Sequence, residues 1–421
     1  MLRKKIIVAG GGFAGLQLIE HLDEDLFDVL LIDKLNYHQF QPLFYQVAAS
    51  QLEPSSISFP LRKIFQKRTC TQIRLAEVLG VEPVSNIIKT TIGIFHYDYL
   101  VLATGCKTNY FGNEKIKKYA YGLKTTYDAI KLRNTILQSF EELLTVDEKE
   151  KEYLLNIVIV GAGPTGVELA GAFAEIKKNI LPKDYPFIDF NNLKIILLEG
   201  SPFTLGTMSN PARMSAEKYL KQLGVDVRTK VLVKNYNGKV VILNNGESIK
   251  SNHVIWTAGV TGNLIKGFDK KNTVNNNRIT VDRYNLVKDC SNVYAVGDIA
   301  YMETPAYPHG HPQVANVAIH QARNLAKNLQ ALLHNKPLRQ YEYRNLGSMA
   351  TIGKHKAVVD LPFIKFKGYF AWFIWMSLHL MLILSVRNKL IIFINWTWNY
   401  FTKDTSLRLI LKDDNNKEGG N

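Results

Sequence analysis

Apolar positions in this chain gather into short β-branched runs, and the runs recur in the same order twice. Lys5-Ile6-Ile7-Val8-Ala9 and Ile157-Val158-Ile159-Val160 show no polar alternation, the pattern of strands buried on both faces of a parallel sheet. Each leads into a glycine-rich loop and then an apolar helix. A second strand follows in each half, Val29-Leu30-Leu31-Ile32-Asp33 and Ile195-Ile196-Leu197-Leu198-Glu199, ending on an acid. A third run closes each half on a small-residue turn. These runs are Tyr99-Leu100-Val101-Leu102 before Ala103-Thr104-Gly105, and Val254-Ile255-Trp256 before Thr257-Ala258-Gly259. The duplication predicts an α/β fold with two Rossmann-like dinucleotide-binding domains.

The loops read Gly10-Gly11-Gly12-Phe13-Ala14-Gly15 and Gly161-Ala162-Gly163-Pro164-Thr165-Gly166. In such a loop the first glycine (Gly10, Gly161) makes the tight turn and the second (Gly12, Gly163) lets a pyrophosphate approach. The third (Gly15, Gly166) lets helix and strand pack closely. The pyrophosphate then rests on a helix N-terminus, whose free N–H groups and dipole favour an anion. Asp33 and Glu199, at the ends of the second strands, are placed to accept the hydroxyls of an adenosine ribose. Two dinucleotide sites in one polypeptide imply electron transfer between them. The first site is expected to hold FAD and the second a nicotinamide cofactor. No His or Cys is set up for covalent attachment, so the FAD is expected to be noncovalent.

A helical connection from about Thr125 to Val146 leads to Asp147-Glu148-Lys149-Glu150-Lys151-Glu152, which reads as a solvated linker. Asn292-Val293-Tyr294-Ala295-Val296-Gly297-Asp298 reads as a strand ending in Gly-Asp before a helix that starts near Gln313, completing the first domain after the second was inserted. The expected organisation is a discontinuous FAD domain (1–107 and 289–337), a nicotinamide domain with connecting segments (108–288), and a membrane-associated helical module (338–421).

In that last module, the eighteen residues from Tyr369 to Val386 are nearly all apolar, with Trp372, Trp375, Ser377 and His379 among them. The cluster Arg387-Asn388-Lys389 interrupts the stretch before the aromatic-rich run Leu390 to Phe401. Eighteen residues meet the lower length limit for a spanning helix, and Trp, Tyr and basic side chains suit the headgroup level. Three readings stand: a pair of helices lying in one leaflet, a spanning helix, or buried core. The first is favoured by the aromatic density, with Trp375, Leu382 and Trp396 expected in the lipid.

The chain has 421 residues and a formal net charge of +15. No basic helix, zinc pattern or RNA-binding signature accompanies that charge, so nucleic acid is not expected as a partner. An anionic bilayer and general enrichment in Lys, Asn and Ile account for it. Cys70, Cys106 and Cys290 form no CxxC, which argues against a disulfide framework or a dithiol site. His309 and His311 flank Gly310 between Pro308 and Pro312. No third ligand is evident, so no metal is expected and the segment reads as a loop at the flavin edge or membrane. The first strand is reached by Ile6, leaving no room for a signal peptide. The body is therefore expected on the cytoplasmic face of the inner membrane.

Taken together these motifs resemble the type II NADH:quinone oxidoreductases, along essentially the whole chain. Gly10 to Gly15, Asn36-Tyr37-His38 and Gln41-Pro42-Leu43-Phe44-Tyr45-Gln46-Val47-Ala48 resemble the family's flavin half. Gly161 to Gly171 resembles its NADH half, Ala295-Val296-Gly297-Asp298 its second flavin contact, and Arg387-Asn388-Lys389 with the aromatic tail its membrane end. The resemblance implies hydride transfer from NADH to FAD and two electrons onward to a membrane quinone, menaquinone or ubiquinone, without proton pumping. It implies FAD contacts from Gly10, Gly12, Phe13, Ala14, Gly15, Asp33, Gln41, Ala103, Thr104, Gly105, Gly297 and Asp298. Asp33 would hold the adenosine ribose and Asp298 the ribityl chain. NADH contacts would come from Gly161, Gly163, Pro164, Thr165, Gly166, Glu199 and Gly259. Glu199 repels a 2′-phosphate and no Arg follows in Gly200-Ser201, which favours NADH over NADPH. Glu168 would lie beside the nicotinamide–flavin stack, orienting the ring or relaying a proton. The family's quinone helix reads Ala-Gln-x-Ala-x-Gln, whereas this chain has Ala315-Asn316-Val317-Ala318-Ile319-His320. Asn316 and His320 thus stand in for both glutamines. A sulfide:quinone oxidoreductase, which needs redox cysteines, and an NADH-binding flavoprotein acting through partner binding are the alternatives. A homodimer is compatible with all three.

Overall fold

The structure is a computed structural model and describes residues 2–268, 272–274, 276–405 and 407–411. The chain forms two compact units, each assembled from three segments. One comprises Met1–Gln39, Phe59–Lys107 and Val260–Leu346; the other comprises Phe40–Ser58, Thr108–Gly259 and Gly347–Asn421.

The first unit is built on a five-stranded parallel sheet. Its spatial order is Val293–Ala295, Tyr99–Leu102, Lys4–Ala9, Phe27–Asp33, Thr71–Leu75. Val8 pairs with Leu31 on one side and Val101 on the other. Both faces are covered, which is why the runs lack polar alternation: Ile6, Val8, Leu31 and Val101 enter one core, and Ile7, Ala9, Ile32 and Leu102 enter the other. The helices Phe13–His21 and Ala315–Leu333 pack together over the first of these. The edge strand Val293–Ala295 arrives only after the second unit's nucleotide fold has been completed in sequence.

The second unit repeats the plan with four parallel strands in the order Val225–Thr229, Lys194–Glu199, Asn156–Val160, His253–Trp256. Helix Pro164–Asn179 follows its glycine loop, with Pro164 at the first helical positions, where its missing N–H costs nothing.

Several expectations are corrected here. The charged run read as a linker is instead the helix Glu148–Leu154, with Asp147 at its N-cap position and exposed over its charged turns. Its Glu148–Lys151 pair lies on one helix face. The C-terminal part is not wholly helical, because a three-stranded antiparallel sheet, Ser348–Thr351, Ala357–Asp360 and Lys365–Gly368, precedes the helices.

The long apolar stretch does not form a continuous helix. It breaks into Tyr369–Leu382 and Val386–Thr402, with extended backbone at Ile383 and Ser385. Ile383 turns inward and is buried, and Ser385 sits at the next N-cap, a position serine favours. Among the described residues no helix is long and apolar enough to cross a membrane, so the spanning reading is set aside.

Trp375 and Trp396, expected in the lipid, are core residues at 2% and 8% exposure. Each helix buries a single stripe: Ala371, Trp375 and His379 on one, Asn388, Ile392 and Trp396 on the other. Spacing of four residues puts each trio on one face. Asn388, grouped in sequence with the basic headgroup cluster, is buried and donates to the Ser55 and Ser56 carbonyls at 3.0 and 2.9 Å. Leu382 is exposed as expected.

His311 is also a core residue rather than a loop edge. Its ring packs among Tyr307, Tyr341 and Tyr343, with Nε2 3.4 Å from the Thr304 hydroxyl.

Candidate functional site

The two glycine loops have the same local construction. A Cβ at Gly10 would strike the Ala103 carbonyl, and one at Gly15 would overlap the Gly10 carbonyl. In the second loop a Cβ at Gly161 would lie 2.8 Å from Ala258, and one at Gly166 would overlap the Gly161 carbonyl. At Gly12 and Gly163, by contrast, a Cβ would meet nothing within 4 Å. The outer glycines are thus needed for packing, while the middle one leaves open space above a helix N-terminus. Both loops therefore fit a dinucleotide pyrophosphate. Phe13, Ala14 and Thr165 lie in the first turns of the two helices.

The two acids also act alike. Asp33 accepts from the Gly11 N–H at 2.5 Å and the Leu35 N–H at 2.7 Å. Glu199 accepts from the Ala162 N–H at 2.7 Å and the Ser201 N–H at 2.7 Å. Each carboxylate ties its strand end to the second residue of its glycine loop. Burial raises the Asp33 pKa, partly opposed by the Gly11 and Leu35 donors.

In the first unit a cleft brings together Gly10, Asp33, Thr104, Ala76, Glu77 and Asn263. Thr104 and Asn263 exchange two hydrogen bonds of 2.9 Å, hydroxyl to carbonyl one way and amide to carbonyl the other. The turns after the third strands use the left-handed region, at Gly105 (φ 67°) and Gly259 (φ 86°). Gly297 has φ 74°, and a Cβ there would press on Ala14 and Ala318. The Gly297 N–H donates to Gln321 Oε1 at 2.8 Å, and Gln313 donates to the Asp298 carbonyl at 2.9 Å. The Cys106 thiol donates to Asp298 Oδ2 at 2.8 Å. Gln41 lies exposed in a short turn, Gln41–Leu43, of the second unit, where its carbonyl accepts from the Phe44 N–H.

Sequence reasoning placed His38 in the flavin half without giving it a contact, and assigned no site role to Asn263, Gln313 or Gln321. His38 is buried, with Nδ1 3.0 Å from the Gly11 carbonyl and its ring edge-on to Phe13. Burial lowers its pKa, so the neutral ring donates to that carbonyl. Gln321 follows His320 by one residue, about 100° further round the helix, and is buried. Asn316 and His320 themselves are half-buried near the start of Ala315–Leu333. Burial, then the charge of Arg323, lowers the His320 pKa.

Glu168 lies deep in the second unit, near the start of Pro164–Asn179. Its Oε1 accepts from the Thr351 N–H at 3.3 Å. The Trp375 indole lies nearby and favours the ionised form slightly, without a hydrogen bond of standard geometry. Burial dominates and pushes the Glu168 pKa up to about 8. Glu168 lines a cavity with Tyr45, Gln46, Trp375, Met376 and Trp396. The cavity therefore joins aromatic walls to a carboxyl group that is neutral at pH 7.

Comparison with known proteins identifies the family of the chain. The family of pyridine nucleotide-disulphide oxidoreductases matches residues 4–322, and the NDH2 C-terminal domain matches residues 345–403. Type II NADH:quinone oxidoreductase NdhA of Mycobacterium tuberculosis is 32% identical, covering 94% of this chain and 86% of the relative. The chain belongs to the type II NADH:quinone oxidoreductase family. Ndh, a second type II NADH:quinone oxidoreductase of the same organism, is 31% identical across 95% of this chain and 89% of its own. In fold, this type II oxidoreductase is similar to NDH2 of Plasmodium falciparum solved in complex with NADH. The TM-score is 0.90, with 24% identity over 98% of this chain and 100% of that one.

Proposed function

We propose that this protein is a respiratory flavoenzyme that oxidises NADH through noncovalent FAD and reduces a membrane quinone without pumping protons. The observation that carries the reading is the doubled loop-and-acid construction at Asp33 and Glu199, in a chain of this family. FAD, when bound, supplies the two-electron chemistry that links NADH to quinone.

The first loop, with Gly10, Gly12, Phe13, Ala14 and Gly15, would hold the FAD pyrophosphate, and Asp33 its adenosine ribose. Ala103, Thr104, Gly105, Gly297 and Asp298 would line the flavin side. In the second unit Gly161, Gly163, Pro164, Thr165, Gly166 and Gly259 would cradle NADH, and Glu199 would accept from its ribose. Gln41, exposed in the second unit, would contribute its side chain to the flavin. Asn316 offers an amide to a quinone carbonyl, and His320, neutral near pH 7, offers a ring N–H. The cavity beneath Glu168 would receive the quinone ring, with the neutral carboxyl as a proton-bearing group beside it.

The quinone substrate is lipid-soluble, and the outward faces of the last two helices suit a lipid surface. Phe370, Phe373, Met381, Leu382, Leu390 and Trp398 are all exposed, beside Arg387 and Lys389. At 1.5 Å per residue the helices reach roughly 20–25 Å, short of a bilayer core but suited to lying in one leaflet. This proposal puts them on the inner face of the membrane.

The sulfide:quinone alternative gains little. Cys70, Cys106 and Cys290 form no disulfide among the described residues, and the Cys106 thiol donates to Asp298. The deciding experiment is steady-state NADH oxidation by the FAD-loaded protein on liposomes, with and without menaquinone or ubiquinone analogues. Quinone-dependent turnover that prefers NADH to NADPH is expected. Slow turnover indifferent to quinone would instead favour the partner-binding flavoprotein.

A further inference from the structure

The polarity of hydrogen bonding in the cavity is set by a group that can only donate. An indole N–H has no acceptor capacity, so the 2.8 Å contact from Trp396 Nε1 identifies the Gln46 atom facing it as the carbonyl oxygen. The other end of that amide is then its nitrogen, and it donates to the Tyr45 hydroxyl at 2.9 Å. A phenol oxygen that accepts in this way still has its own hydrogen to place. Tyr45 and Gln46 are buried, Trp396 nearly so, and all three line the cavity that Glu168 also lines. The chain Trp396 to Gln46 to Tyr45 therefore runs one way, delivering the tyrosine as a donor.

That polarity selects among ligands. A quinone ring is flat and apolar, and its two carbonyl oxygens only accept hydrogen bonds. Aromatic walls at Trp375 and Trp396 with a fixed donor suit such a ring.

We propose that Tyr45 donates a hydrogen bond to a carbonyl oxygen of the bound quinone, with Gln46 and Trp396 as positioning residues that hold it in the donor state. The inference rests on the quinone reading of this cavity. Tyr45 supplies a hydrogen bond and keeps its proton: burial first, and the Glu168 carboxyl second, hold its hydroxyl well above its usual range. The protons that complete the quinol come from elsewhere.

The test uses oxidised, FAD-loaded protein titrated with the short-tailed ubiquinone-1, followed by quenching of tryptophan fluorescence. Tyr45→Phe keeps the ring and deletes the donor, and should raise the quinone Kd about five- to ten-fold, the usual size for one lost hydrogen bond. Trp396→Phe frees the Gln46 amide to turn over and should raise the Kd by about two- to three-fold, yet add nothing in the Tyr45→Phe background.

An unchanged Kd in a folded Tyr45→Phe protein overturns the donor role while leaving the quinone reading intact. Full additivity of the two substitutions overturns the positioning role of Gln46 and Trp396. Should Tyr45→Phe fail to fold, an unchanged Kd in Trp396→Phe overturns the inference by itself. A wild-type protein that neither binds nor reduces ubiquinone-1 removes the quinone reading and this inference with it.

Discussion

The indole of Trp375 lies flat on the ring of His379, with centroids 4.1 Å apart and planes 25° from parallel. His379 Nδ1 donates to the Trp375 carbonyl at 2.8 Å, and burial pushes the histidine pKa down to about 4, so the stacked ring is neutral. The pair lies in the interior of the module, so the lipid contact proposed above falls to other residues. Replacing exposed Phe370, Met381 and Trp398 together with Ser should release the protein from anionic liposomes in a flotation assay. Reduction of ferricyanide, a soluble acceptor, should persist. The single change Trp375→Ser should instead lower Tm markedly, since deleting a buried aromatic ring costs about 3–5 kcal/mol. Retained binding by the triple variant would place the attachment elsewhere.

Glu199 is expected to set nicotinamide preference. Its carboxylate ties Ala162 to Ser201 and would also meet the ribose. Glu199→Gln should weaken NADH about ten-fold in kcat/KM, the size of one lost charge-assisted contact. It should also narrow the ratio of NADH to NADPH by removing repulsion of a 2′-phosphate. An unchanged ratio would move Glu199 off the ribose.

The buried Glu168 gives a pH dependence of definite sign. Its folded pKa of about 8 lies above the ordinary value of 4.5, so the folded state holds the proton more tightly than the unfolded one. The stability linked to this group is complete below pH 4.5. It declines as pH rises toward 8, by at most about 1.4 kcal/mol per pH unit. Glu168→Gln, which stays neutral, should flatten that decline and raise Tm above wild type at pH 8 to 9. Quinone-dependent turnover of the wild type should carry an inflection near pH 8 that the variant lacks. Identical Tm profiles from pH 5 to 9 would contradict the burial argument.

Asn316 and His320 are expected to act on quinone alone. Restoring Gln at both should change the quinone KM and leave the rate of flavin reduction by NADH nearly as it was. The opposite pattern, slower flavin reduction with constant quinone kinetics, would assign this helix end to the flavin.

Much of this was legible because the nucleotide loops are local. Gly10, Gly15, Gly161 and Gly166 must be glycine for contacts made within a few residues or with the adjoining strand turn. The Ala315–Leu333 helix was legible in outline, but Gln321 was hidden because nothing local marks its carbonyl as the acceptor for Gly297 N–H. The sheet of Ser348–Thr351, Ala357–Asp360 and Lys365–Gly368 was missed because its four-residue strands are too short for period-two alternation to register.

The error over Trp375 and Trp396 has a more general cause. On an apolar helix the sequence shows which residues are hydrophobic but not which side is lipid. The usable sign was polar: His379 and Asn388 fall on the same faces as the two tryptophans, and both find partners inside. In these two helices His379 and Asn388 mark the inward stripe.

The late position of Val293–Ala295 bears on how the chain matures at the ribosome. Tyr99–Leu102 emerges with one side unpaired, and its neighbour is translated only after the whole sheet of the second unit. The helix Ala315–Leu333, which covers Phe13–His21, emerges later still. The strands between Asn156 and Trp256 are contiguous and can pair as they appear. Nascent chains released before Ala315 should therefore be protease-resistant in the second sheet while the first remains an open-edged, aggregation-prone intermediate.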